Sequence, residues 1–229
     1  MKKLISLALI IAMLTTMLFT FAACTKNEDA EETALEVKKT TITQAVYSYF
    51  NITMDVPLGE VEDTENPGTM IEGPLYKFQT TKPENCKFTA DYYVVTNNAL
   101  IGFDLDEISS ITSYAWYKEQ YGTQTMTFQL YKDEIINNSN YSGTYKPEMI
   151  TTFAQRDAFK VDYKFTENGT NVKYGEYYTV SLDDFADKYK SGVMKVYITD
   201  VNSDSANVES VLADQEVNDL LNSIRFIAQ

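Results

Sequence analysis

Asp200, Asn202 and Asp204 present side-chain oxygens at alternate positions, with Glu209 following, the spacing at which a calcium-binding loop opens its ligand shell. The rest of that shell is missing. Ser205 stands where the loop needs a glycine for its turn, and Val211 where it needs a bidentate glutamate. The segment reads as an Asx-turn loop, with a weak extracellular calcium site as the alternative. Two tighter acid groups, Asp104, Asp106 and Glu107, and Asp183, Asp184 and Asp187, supply the residue type of glycoside hydrolysis. That chemistry needs two carboxyls facing across a cleft about 5 to 9.5 Å wide, which close sequence neighbours do not offer. Helix capping and complementation of the helix dipole account for both groups.

The sequence contains no histidine, which removes Ser-His-Asp and Cys-His catalysis, His-ligated zinc and the commonest general base at neutral pH. Cys86 has Lys82 and Lys87 loosely about it, but a nucleophilic thiol needs a lowered pKa and a base. It reads as a small, partly buried residue beside a strand. No catalytic residue, cofactor site or metal site is therefore expected.

One constellation points to binding. Between Asp106 and Gly122 apolar residues adopt helical spacing, with Ile108, Ile111, Thr112 and Ala115 on one side. Tyr117 and Tyr121 point away from that side and Tyr114 lies at the margin. Tyrosine suits surfaces that are half wet and half buried, so Tyr114, Tyr117 and Tyr121 form a candidate partner-binding surface. The alternative is a helix sandwiched in the core, or covered by the polar Lys132 to Pro147 loop.

Lys2 and Lys3 precede Leu4 to Ala23, an apolar run without a charge, the layout of a secretory leader. About 20 such residues suffice to span a bilayer, so the cleavage chemistry decides between leader and anchor. Phe21-Ala22-Ala23-Cys24 resembles the lipobox of bacterial lipoproteins, with Phe21 where that family usually has leucine. The resemblance implies that the Cys24 thiol receives diacylglycerol and that the chain is cut before it. An ordinary signal peptidase wants small residues at the third and first positions before its cut. Phe21 fails that for a cut after Ala23, whereas Thr20 and Ala22 fit a cut one residue earlier. Two or three acyl chains on one residue anchor stably where one does not.

The expected organisation is a leader at 1–23, a lipidated cysteine and polar tether at 24–41, and one globular domain at 42–229. Loss of the leader with its two lysines takes the formal charge from −14 to −16. Such a surface is repelled by phosphate backbones and anionic headgroups, so nucleic acid is not an expected partner and membrane contact falls to the lipid on Cys24. With Cys24 acylated, Cys86 has no partner for a disulfide in the same chain.

Alternation predicts strands at Phe50 to Val56, ended by Pro57, and at Leu75 to Thr80, Lys87 to Val95, Thr125 to Tyr131 and Met149 to Ala154. Phe159, Val161, Tyr163 and Phe165 alternate into Asn168-Gly169, which supplies the positive φ angles of a tight hairpin. Pairing across it sets Phe165 opposite Val172 and Tyr163 opposite Tyr174. The same register puts Glu176 opposite Val161, so either a bulge at Gly175 re-aims the strand or an acid points inward. Ser181 is placed to cap a short helix through Leu182, Phe185, Ala186 and Tyr189, closed by Gly192. Met194, Val196 and Ile198 read as a strand. Asp214 starts a last helix with Val217, Leu220, Leu221 and Ile224 at helical spacing, and Phe226 begins an extended piece. Consecutive strands with helices at the middle and end argue for an α+β fold with an antiparallel sheet.

Arg156-Asp157-Ala158-Phe159 leading into a strand, the Asn168-Gly169 hairpin, Lys195-Val196-Tyr197-Ile198 and Leu221-Asn222-Ser223-Ile224-Arg225-Phe226 together resemble the PsbP-like family, which includes DcrB-type envelope lipoproteins. The early strand ending in Pro57 is similar too. The resemblance covers about half of the chain after the leader. It implies an antiparallel sheet of about six strands with helices on both faces, an α/β/α sandwich, and little about function, since one fold hosts many tasks. The expectation is a membrane-anchored extracytoplasmic lipoprotein on the outer face of the cell membrane, a non-catalytic binding or accessory module with a protein or cell-wall partner. A small-molecule or glycan-binding receptor is the alternative, and an enzyme the least favoured reading.

Overall fold

Pro57 does not end the strand that begins at Phe50. That strand, β2 (Phe50–Glu62), runs on through the proline, because there it changes partners. Its first half pairs antiparallel with β1 (Lys39–Val46), whose Lys39 faces Pro57, and its second half pairs with β3 (Met70–Pro74) from Leu58 to Glu62. A residue with no N–H to donate is tolerated at such a changeover. β1 lies partly inside the stretch read as tether. Its alternation is carried by threonines and its exposed face is polar.

The computed structural model describes residues 37–107, 116, 119–120, 148–167, 170–185, 190–202 and 208–229. Further along the chain come β4 (Phe78–Gln79), β5 (Tyr92–Val95), β6 (Ala99–Glu107), β7 (Glu148–Phe153), β8 (Arg156–Glu167), β9 (Thr170–Ser181) and β10 (Gly192–Asp200). They form one antiparallel seven-stranded sheet in the order β4-β5-β6-β10-β9-β8-β7. Helices α1 (Val208–Ala213) and α2 (Gln215–Ser223) follow, then β11 (Arg225–Ala228). β11 pairs with β2 between Phe50 and Thr53 and completes a smaller sheet with β1, β2 and β3.

The core lies between the two sheets. Phe50, Ile52, Met54 and Val56 from β2 pack with Val94, Ile101, Phe103, Val180, Met194, Val196 and Ile198, and with Val217, Leu220, Leu221 and Ile224 at α2. Asp214 caps α2 as its spacing predicts, accepting from Val217 N at 3.1 Å. The opposite face of the large sheet is covered, among the described residues, by the loop before β5. Phe88 lies on Tyr197, with ring centroids 4.6 Å apart, and over Gly102, where a Cβ would stand 2.1 Å from the Phe88 ring. Lys87 to Asp91 are thus spent as a cover, and only Tyr92–Val95 of the predicted strand forms.

The expected α/β/α sandwich is overturned: the architecture is mostly antiparallel sheet, with a second sheet where a helical layer was expected. Among the described residues the helices α1 and α2 both lie from Val208 onward. Helical spacing misled at Ser181 to Gly192. Ser181 still belongs to β9, opposite Val193, and the following turn is a single 3-10 turn at Asp183–Phe185, with Ala186 and Tyr189 outside the described residues. Asp106 and Glu107 end β6 rather than start a helix. Of the middle helix only Trp116, Glu119 and Gln120 are described, helical and exposed. The predicted strand Thr125 to Tyr131, the Lys132 to Pro147 loop and the Asn168-Gly169 pair lie outside the described residues.

The β8–β9 hairpin pairs Phe165 with Val172 as predicted, but the register shifts at the next step, so Tyr163 faces Gly175 and not Tyr174. The bulge and the inward acid are both present. Glu176 moves opposite Asp162 on one side and Ile198 on the other, and it is buried on the core side. There its Oε1 meets Lys160 Nζ at 2.8 Å and its Oε2 accepts from Tyr178 Oη at 3.4 Å.

Candidate functional site

Three turns meet at one end of the large sheet and enclose an open depression of about 270 Å³ lined by Asn97, Asn98, Asp200, Asn202, Ser210 and Asp214, with Val211 its one apolar side chain. Each turn is built by a short polar side chain folding back on its own backbone. Thr96 Oγ1 accepts from Asn98 N at 3.2 Å and Ala99 N at 2.8 Å, and Asp200 Oδ1 accepts from Asn202 N at 2.8 Å. The turns are also tied together: Val201 N donates to Asn98 O at 3.1 Å, and Asn98 Nδ2 donates to Asp214 Oδ2 at 2.7 Å. Nearby, Tyr76 donates to Glu216. Burial, reinforced by the Glu216 carboxylate, pushes the Tyr76 phenol up to about 12.

The depression presents amides and carboxylates that suit hydroxyl-bearing or hydrated groups. Asp200 and Asn202 of the calcium-like spacing line it. Asp204 lies outside the described residues, and Glu209 is exposed on α1 and not among the lining side chains. Both Asp214 oxygens already accept hydrogen bonds. No group of three or more acids or cysteines among the described residues is placed to hold a metal ion.

The other acids are engaged separately. Asp104 and Asp106 project from the same face of β6 and share Lys195 of β10, at 3.0 and 2.7 Å. Glu107 pairs with Lys190 at 3.2 Å. Asp184 grips Arg156, whose guanidinium lies 4.7 Å from the Phe185 ring centroid. Asp183 is buried, and Asp187 is outside the described residues. Cys86 is buried, its Sγ donating to Phe88 O at 3.0 Å, and burial pushes its thiol up, away from the reactive thiolate. Cys24, Tyr114, Tyr117 and Tyr121 all lie outside the described residues.

Burial raises the Asp104 carboxyl above its ordinary value; Lys195 opposes the shift, and Asp106 and Asp91 add to it. An acid whose folded pKa is raised favours the folded state when protonated. That contribution is full below the unfolded value of 3.8 and is lost as pH climbs through the raised folded value. Asp104→Asn is expected to remove this fall while Asp106 still serves Lys195. Urea midpoints of the two proteins, compared from pH 3 to 7, check it; parallel profiles would refute the assignment.

The Asn97-Asn98 turn was the part of this site not anticipated, and so was its bond to the Asp214 cap that the helical spacing had predicted. The signal of the turn was a run of turn formers, Thr96-Asn97-Asn98, between two apolar strands. Lys195 was legible as the polar position between Met194 and Val196. No family model, no curated protein and no solved structure matches the chain.

Proposed function

We propose that the chain is a lipid-anchored extracytoplasmic lipoprotein and acts as a non-catalytic binding or accessory module of the cell envelope, with a protein or cell-wall partner. The observation that carries this is Phe21-Ala22-Ala23-Cys24 at the border between an uncharged apolar run and a polar segment, followed from Lys38 by a folded unit. Two features support the non-catalytic part: the sequence holds no histidine, and the thiol and most of the paired acids already have partners within the fold. Among the described residues no helix is long and apolar enough to cross a membrane, and the proposal gives that task to the acyl chains. The open, polar depression is unlike the apolar-walled pockets that enclose small molecules, which favours a macromolecular partner over a small-molecule receptor.

Cys24→Ala tests the anchor. The parent protein is expected in the membrane fraction, labelled by radioactive palmitate, and the variant is expected unlabelled and at the size of the uncut precursor. A variant that is still processed to the parent's size, in cells where the parent takes up no label, would rule lipidation out.

A further inference from the structure

We infer that the free edge of β3, together with the apolar face of the β2–β3 ribbon, takes up an extended lysine- or arginine-bearing segment of another protein as an added strand. The inference deepens the binding-module reading and rests on it, but it owes nothing to the anchor.

Past Pro57 the ribbon has one apolar face, because Gly59 faces Gly73, Val61 faces Ile71, and Leu75 follows one step along. The two glycines are seats rather than gaps. A Cβ at Gly59 would stand 2.5 Å from Leu75 Cδ2, and one at Gly73 would stand 2.7 Å from Val61 Cγ2. Leu75 and Val61 are thus pressed against the backbone, yet Ile71 and Leu75 remain 45% and 44% exposed. Among the described residues β3 pairs with β2 alone. Its outer edge is an open template for strand addition, guarded only by Glu72 and the terminal Pro74.

Charge selects the occupant. Leu58 to Leu75 carries Glu60, Glu62, Asp63, Glu65 and Glu72 and no lysine or arginine. Glu60 lies directly opposite Glu72, a like-charge pair that destabilises a ladder. Lys38 answers Glu72 at 2.9 Å. Glu62 is used by Gly68 N, and Asp63 by Glu65 N and Asn66 Nδ2, which leaves Glu60 without a cation among the described residues. A second copy of this ribbon would set acid against acid, and anionic lipid would be repelled. A basic strand supplies the missing cation and covers the apolar face.

The test uses the full-length protein in neutral detergent micelles and a short peptide alternating lysine and valine. A glutamate–valine peptide and a lysine–valine peptide N-methylated at alternate residues, which cannot complete a ladder, serve as controls. The lysine peptide is expected to bind about tenfold more tightly than either control, and Glu60→Lys and Ile71→Asp, both at exposed side chains, are each expected to weaken it by about that factor. Cys24→Ala is expected to bind as the parent does. Equal binding of the N-methylated peptide, unchanged binding in both ribbon variants, or self-association of the parent abolished by Ile71→Asp would each overturn the inference.

Discussion

Phe50→Ala is expected to cost about 3 to 5 kcal/mol of stability, the range for truncating a fully buried phenylalanine that leaves a cavity. Phe50 has no exposed surface, stacks on Phe185 at 5.1 Å between ring centroids and meets Phe226 edge-on at 6.3 Å. These rings join the first residue of β2, the 3-10 turn after β9 and the last strand, so one truncation loosens both sheets. Urea unfolding would show a lower midpoint at unchanged slope, and the thermal midpoint would fall by on the order of 10 °C. Phe50→Leu, which keeps most of the volume, should lose far less. Ile227→Ala, on the adjacent and 49% exposed position of β11, should change stability by less than about 0.5 kcal/mol. A Phe50→Ala loss no larger than the Ile227→Ala loss would show that the rings do not hold the sheets together.

Lys160→Ala is expected to cost about 2 to 3 kcal/mol, somewhat under the figure for a wholly enclosed ion pair because the Lys160 side chain is 33% exposed whereas that of Glu176 is 4% exposed. Truncation removes the Lys160 counter-charge from a buried carboxylate that also accepts from Tyr178 at 3.4 Å. Adding Glu176→Gln should recover much of the loss, since an amide needs no counter-charge, and that recovery distinguishes charge from lost packing of the lysine stem. If the double variant is no more stable than Lys160→Ala, Lys160 acts through packing alone.

The sequence made some elements plain and concealed others for identifiable reasons. β8, β10 and α2 were legible because their apolar residues follow one period without interruption, with Asp214 marking the start of α2, whereas β9 was legible only as far as the register shift that moves Glu176 opposite Asp162. β1 was concealed because its exposed face is mainly lysine and threonine and its inward face interrupts Ile42 and Val46 with the polar Thr40 and Gln44. β3 was concealed because glycine, proline and three acids dominate the ribbon. The Ser181 to Gly192 segment has a helical spacing of apolar residues, but Ser181 is claimed by the ladder with Val193 and Leu182 N by Gly192 O at 3.1 Å. Tertiary pairing overrode local preference there. At the candidate site the individual turn formers were readable, whereas their convergence depends on contacts between residues about a hundred positions apart, such as Asn98 with Asp214, which no local pattern encodes.

β2 has β1 as its neighbour in sequence, yet its other partner over Phe50–Thr53 is β11, which arrives some 175 residues later. Gln229 fastens the same corner through Tyr49 O and Phe50 O. Loop-closure entropy of that size must be met before the small sheet can close, which places folding among the slow, high-contact-order topologies that take milliseconds to seconds. A nascent chain holding only its first half would carry Phe50, Ile52 and Met54 with only part of their cover, Val94, Ile101 and Phe103, and would be prone to aggregate until the distal strand emerged.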